Sequence, residues 1–252
     1  MKKEGRYYTL PDGTKLPSVT TLISAIAKPA LINWASYGAR DATIAAARTI
    51  YEASDGDISP ASFEAALRKS LGKRPAHLYK SDSALDIGTL VHARIEAETR
   101  RELGQDVAVP EVPETDVDGT PHPAWNAYQS YLAWRKANEV QPVKVEHRVY
   151  HEVLGFAGTC DLLAYVGDVL TIADYKTSKA VYGEYRLQIA AYRAAYLGMR
   201  DSGQDGSPVG GLILRFPKTA GDDFEAADVP WAEQESLMRV FLAAKTIWEW
   251  QD

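Results

Sequence analysis

Cysteine is nearly missing from this sequence: Cys160 stands alone among 252 residues. A single thiol excludes an internal disulfide, a cysteine-based zinc site and a cysteine-ligated iron–sulfur cluster, and it suits a reducing cytoplasm. Long apolar runs are missing as well. None approaches the ~20 residues needed to span a bilayer, so no membrane partner is expected. The two lysines of the opening MKKEGRYYTL lack the apolar stretch of a secretory signal. Nor is there an excess of positive charge, because 28 Lys and Arg face 34 Asp and Glu for a net charge of −6. That balance argues against a surface coated in basic groups, while leaving room for a local basic groove. What remains is ordinary for a globular chain, with 46% hydrophobic and 25% charged residues.

Two textures follow each other along the chain. The opening TLPDGTKLPSVTTLI turns at Pro11-Asp12-Gly13 and predicts a short hairpin or loop. Helical periodicity then covers residues 30–52, a shorter helix from Ser59 to Leu71 capped by Ser59 or Ser62, and a stronger one from Ser83 to Leu103. Residues 104–123 are acidic and Pro-rich and predict an exposed connection, followed by a helix over Pro123–Asn138. The second texture is β-like: 143–151, 157–166, 168–177 and 209–216 are rich in β-branched residues between turn signals. Helices are expected at Tyr185–Met199 and from Trp231 to Trp250. This order predicts an α/β (α+β) fold with a mixed central sheet flanked by helices, and a helical N-terminal half. The expected division is 1–82, a hairpin and helical region packed on the core, and 83–252, the core itself, in a single compact domain.

The stretch AGTCDLLAYVGDVLTIADYKTSK is the most informative. Gly167-Asp168 separates two apolar runs and fits a two-residue turn between antiparallel strands. That turn pairs Val166 with Val169, Leu163 with Ile172 and Asp161 with Asp174. Two carboxylates about 5 Å apart across a ladder repel each other. Such a pairing needs a proton or a cation between them, and a hard divalent ion suits the ligands. Alternation puts Lys176 on the face of Asp174. Two acids and an ammonium suit phosphodiester hydrolysis, in which a metal activates water and the lysine orients the nucleophile or stabilises the transition state. A D-x-K triplet alone is equally an exposed strand ion pair, so the surroundings decide.

Those surroundings come in a set order: Gly88 and His92 on a helix, Glu146 on a strand, Gly158-Thr159-Cys160-Asp161, Asp174-Tyr175-Lys176-Thr177, then Gln188 and Tyr192 on a helix. The order resembles the PD-(D/E)xK nuclease superfamily, in its RecB-like and Cas4-like branch, over roughly residues 86–195. KLPSVTTLI followed by PALINWA is similar to the front of phage exonucleases and of the mitochondrial genome maintenance exonuclease. The resemblance implies a restriction-endonuclease-like core and a divalent-metal-dependent DNA exonuclease. It assigns Asp161, Asp174, the Tyr175 carbonyl and His92 to Mg²⁺ or Mn²⁺, one ion or two. It gives Lys176 to the attacking water, and Gln188 and Tyr192 to the lysine or the DNA backbone. Glu146 falls to a second metal through water or to the support of Lys176; Glu96 receives no role and reads as a solvated helix residue. The cysteines of the iron–sulfur type are absent, and Cys160 stands where the motif nominally has proline.

The resemblance further implies DNA as partner, possible association with a recombinase, helicase or single-strand-binding protein, and a role in repair, recombination or phage DNA processing inside a bacterial or phage-infected cell. Trp34, Tyr37, Arg40, Trp125, Tyr128, Trp134 and Arg135 combine aromatic faces with positive charge and suit strand handling, as do Thr177, Ser178 and Lys179 beside the lysine. The same aromatics at helical spacing equally suit a helix core. A structure-specific endonuclease with the same metal site, and a non-catalytic DNA-end binding subunit, are the competing readings.

Overall fold

The structure is a computed structural model describing residues 1–26, 29–71, 77–116, 118–200, 208–216 and 224–251, of which 2–4, 29–35 and 77–89 are described by backbone alone. It divides into two compact units, residues 1–26 with 87–252, and residues 27–86. The first 26 residues thus go with the sheet, whereas the sequence grouped them with the helical front. Turn chemistry shapes them. β1 (Lys2–Glu4), β2 (Tyr7–Thr9) and β3 (Lys15–Pro17) form an antiparallel sheet, and α1 (Val19–Ile23) follows. Between β2 and β3 the Leu10 N–H donates to the Thr14 carbonyl at 2.9 Å. The Asp12 carboxylate accepts from the Thr14 N–H and hydroxyl, and Gly13 supplies a φ of +89°.

The second unit holds α2 (Pro29–Ala53) and α3 (Pro60–Leu71), and the boundary falls within α4 (His77–Glu102). Ser59 caps α3 by accepting from the Ser62 N–H at 3.2 Å. In the larger unit α5 (Pro123–Ala137) precedes the main strands: β4 (Gln141–His151), β5 (Phe156–Val166) and β6 (Val169–Lys176). Then come α6 (Gly183–Gly198), β7 (Gly210–Arg215), β8 (Glu225–Asp228) and α7 (Gln234–Gln251).

The five main strands lie in the order β4-β5-β6-β7-β8. All neighbours are antiparallel except β6 and β7, which α6 connects as a crossover. Apolar side chains leave both faces of the sheet, so both are covered. On one face Phe156, Leu163 and Ile172 pack with residues of α1, α6 and α7. On the other Leu162, Ala173 and Tyr175 pack with residues of α4 and α5. A core phenylalanine such as Phe156, 4.8 Å from Phe241 and edge-on to it, contributes about 1.5–3 kcal/mol through burial.

Each expected strand is present, and the expected helices appear within a few residues of their predicted ends, α4 starting earlier than Ser83. β1 and β8 are additions: KKE and EAAD are too short and polar to carry a period-two signal. The connection 104–123 is largely exposed, but Val112 enters the second core and the Pro110 carbonyl accepts from Arg94 at 2.8 Å. Among the described residues, no helix is long and apolar enough to cross a membrane.

Candidate active site

The site lies at the open end of the β5–β6 hairpin. Gly167, with φ +56°, makes the tight turn, and the ladder runs in the expected register from Val166 opposite Val169 to Leu162 opposite Ala173. There it stops. Among the described residues β5 stays paired only with β4, and the end of β6 only with β7, from Asp174 opposite Ile213 to Lys176 opposite Arg215. Asp161 and Asp174 are therefore not a ladder pair as the turn implied; they stand where the strands part. The Asp161 carboxylate spans the gap, accepting from the Tyr175 N–H at 2.6 Å. A side chain thus takes over from the missing backbone ladder.

The backbone is irregular here. Phe156 and Cys160 face the α6 side and so does Leu163, while Leu162 and Ala164 face the α4 side. The alternation of β5 therefore shifts by one at Asp161. Opposite, Glu146 falls between the pairs Val145–Leu162 and His147–Cys160 and has a φ of +48°. A glutamate in the left-handed region is strained, and such strain collects where a side chain must be aimed.

Helix α6 supplies the next layer. One turn apart on its buried face, Gln188 and Tyr192 meet: the Gln188 amide donates to Asp174 Oδ1 at 2.9 Å and to the Tyr192 hydroxyl at 2.7 Å. Gly158 makes room for the ring. A Cβ there would lie 2.3 Å from Tyr192 Cε1, which gives the glycine just before Thr159-Cys160 a steric reason. Lys176 reaches back to pair with Asp174 and lies 5.0 Å from the Tyr185 ring centroid. From α4, His92 sets its ring edge-on to Tyr175 at 5.5 Å. Around these groups is a cavity of about 200 Å³, whose lining includes His92, Glu146, Asp161, Asp174, Lys176, Gln188 and Tyr192.

The N-terminal sheet forms another wall, which the motifs did not reveal. Tyr8, buried, shares a hydrogen bond of 2.8 Å with the Thr159 hydroxyl, and Ser18 bridges to Ala157 beside it. Tyr8 carried no signal in the sequence, since a tyrosine in a three-residue strand has no period to betray it. The only pointer was the likeness of KLPSVTTLI to the front of phage exonucleases.

Burial and then the Asp174 charge push the Asp161 carboxyl well above the usual carboxylate range, against the pull of Lys176 and the Tyr175 N–H. Burial alone would lower Lys176, but Asp174 and then Asp161 outweigh it and hold the ammonium above its ordinary value. His92 is lowered by burial, reinforced by Lys176 and opposed by Asp174. Among the described residues no three His, Cys, Asp or Glu side chains converge as a metal-holding group. What fits a cation here is the pair of carboxylates. They repel across a buried gap, and among the described residues Asp174 Oδ2 has no polar partner other than the Lys176 ammonium. An all-oxygen pair of this kind suits a hard divalent cation whose remaining positions are filled by a carbonyl and water.

The other expected residues lie elsewhere. Tyr128 and Trp134 are buried in the α4-side core, Tyr128 donating to Glu98 at 2.7 Å, so they pack rather than stack on bases. Arg135 pairs with Glu102, and Trp125 lines a separate cavity with Arg94. Arg40 pairs with Asp41 at 3.1 Å and lies over Tyr37 within the second unit. Past the lysine, the Thr177 hydroxyl is buried with no hydrogen-bond partner among the described residues, Ser178 donates to the Ala180 carbonyl at 2.7 Å, and Lys179 is exposed. Glu96 is half-buried and paired with Arg100 at 2.7 Å rather than solvated. Gly88 lies in α4 as expected, and the side chain of Trp34 lies outside what the structure describes.

Two carboxylates and a lysine at the parting of a hairpin, backed by a Gln–Tyr pair, define an acid–lysine site on a mixed sheet. The chain belongs to the PD-(D/E)XK nuclease superfamily, whose family model matches residues 59–247. Members of this superfamily use divalent metals. No curated protein shows significant similarity to the sequence. Among solved structures, a protein from Eubacterium rectale named as a candidate exonuclease is similar at 10% identity and a TM-score of 0.41, over 66% of this chain and 69% of that one. An alkaline exonuclease from Laribacter hongkongensis is similar at 14% identity and a TM-score of 0.30, over 71% of this chain and 85% of that one.

Proposed function

We propose that this nuclease is a divalent-metal-dependent DNA exonuclease of the RecB-like branch. The observation that carries the reading is the meeting of Asp161, Asp174 and Lys176 at the open end of the hairpin, with Gln188 on Asp174. Asp161, Asp174 and the Tyr175 carbonyl would hold the ion, with His92 beside them and Glu146 reaching the cavity from its kinked strand. The bound divalent ion, Mg²⁺ or Mn²⁺, supplies charge neutralisation at the scissile phosphate and an acidified water.

The chain's own groups do the rest. Lys176, charged at neutral pH, orients the attacking water and offsets charge gathering on the phosphate. Gln188 fixes Asp174 by donating to Oδ1, and Tyr192 fixes Gln188, so neither carboxylate nor lysine must be organised when substrate arrives. Action from an end rests on the branch resemblance.

The test compares end-labelled linear DNA with a closed single-stranded circle, in Mn²⁺, Mg²⁺ or EDTA. The reading expects loss of the linear strand in metal alone, with the circle spared. Cutting of the circle would make the enzyme an endonuclease.

A further inference from the structure

Beside the cavity, on the outer edge of the sheet, runs a groove that the proposed chemistry leaves unused. Two openings of about 600 and 350 Å³ lie between the C-terminal half of α4 and β4. Both meet the catalytic cavity at Glu146, and the larger also shares Thr159 with it. The groove is thus an extension of the site and not an isolated dent. Its floor is an edge strand, since among the described residues β4 pairs only with β5. From Val143 to Arg148 that strand runs for roughly 17 Å at ~3.3 Å per residue.

The charges along it are uneven. On the helix side Arg100 and Glu96 satisfy each other. On the strand side Lys144 and Arg148 are exposed, and among the described residues neither forms an ion pair; Arg148 donates to the Met1 carbonyl. His147 between them is lowered to about 4 by burial and then by Lys144, so at neutral pH it adds a ring and no charge. Two unmatched cations flank a channel leading to the carboxylates, in a protein whose net charge is −6. An incoming β-strand is a poor occupant, because Pro142, Lys144 and the left-handed Glu146 are the features that keep an edge strand from pairing.

We propose that this groove is a backbone track for nucleic acid. It holds the single strand adjoining the scissile bond, with Lys144 and Arg148 on its phosphates. The inference rests on the nuclease reading above.

The test is the double variant Lys144→Glu/Arg148→Glu, whose side chains are exposed and take no part in the catalytic cluster. Hydrolysis of a long single strand and of a small chromogenic phosphodiester, which fills the catalytic cavity alone, would be followed across salt concentrations. The variant should show a KM for the long strand raised about tenfold or more, and a salt slope smaller by roughly 1.4, two phosphate contacts at ~0.7 each. Its kcat and its turnover of the small diester should match the parent. An unchanged KM and slope would overturn the track. If the parent cuts neither substrate, it is the nuclease reading that fails. Fluorescence anisotropy with the same strand in EDTA then reads the groove by itself: binding weakened in the variant supports it, and equal binding, or none by either protein, overturns it.

Discussion

The two ends of the β5–β6 hairpin are built from the same pair of strands and could hardly differ more. At the turn end the ladder is regular, Leu163 faces Ile172, and both are buried against α6. At the open end each strand keeps only its outer neighbour and the alternation of β5 shifts. The left-handed Glu146 sits opposite, and two carboxylates with a lysine occupy a gap spanned by one side-chain hydrogen bond. The first end contributes stability through burial. The second gives up ladder hydrogen bonds and keeps like charges close, a cost the fold carries for a site that can gather a cation and a phosphate. Stability and chemistry are thus separated by a few residues along one hairpin, and mutations should separate them too.

The largest expected effect belongs to the turn end. Ile172→Ala removes a fully buried side chain and should cost about 2–5 kcal/mol in urea unfolding, with the hydrolysis rate per folded molecule little changed. A comparable loss of stability from Lys176→Ala would break the comparison. That variant should instead unfold much like the parent while hydrolysis falls by about 10²–10³-fold. Gly158→Ala sharpens the boundary, because it pushes on Tyr192 from the strand that carries Asp161. It should cost about 1–3 kcal/mol and slow hydrolysis together, read by unfolding and kinetics on one preparation.

The smallest effect concerns pH. Burial raises the Asp161 carboxyl in the folded chain, which therefore holds a proton that the unfolded chain releases above its ordinary value. Metal-free stability from this group is full below the ordinary carboxylate range and declines as the pH climbs through the raised one. Asp161→Asn removes that decline, so at neutral pH the metal-free variant should melt at or above the parent's Tm. Added Mn²⁺ should reverse the order. A metal-free variant that melts below the parent throughout the neutral range would show that Asp161 is a structural acceptor first.

Much of this was legible in the residues. The Gly-Asp turn and flanking apolar runs set the register, and the spacing of Gln188 and Tyr192 put both on one face of α6, since local chemistry decides both. The parting of the strands was not legible, because turn residues set the pairing near the turn and nothing local marks where the β5–β6 ladder stops, at Leu162 opposite Ala173. Nor was the left-handed Glu146, which no local preference demands. Tyr8 and β8 escaped because strands of three or four residues carry no period. Tyr128 and Trp134 were ambiguous because helical spacing looks alike for a core and for a base-stacking face, until packing assigns them to the core.

The central claim is that the open end of the hairpin is a metal-dependent phosphodiesterase centre. Its most direct test is hydrolysis of linear DNA in Mn²⁺ by the parent and by Asp174→Ala, at equal concentrations of folded protein, beside the parent in EDTA. The account predicts cleavage by the parent in metal, and none by the variant or in EDTA. Undiminished cleavage by Asp174→Ala would place the chemistry elsewhere and contradict it.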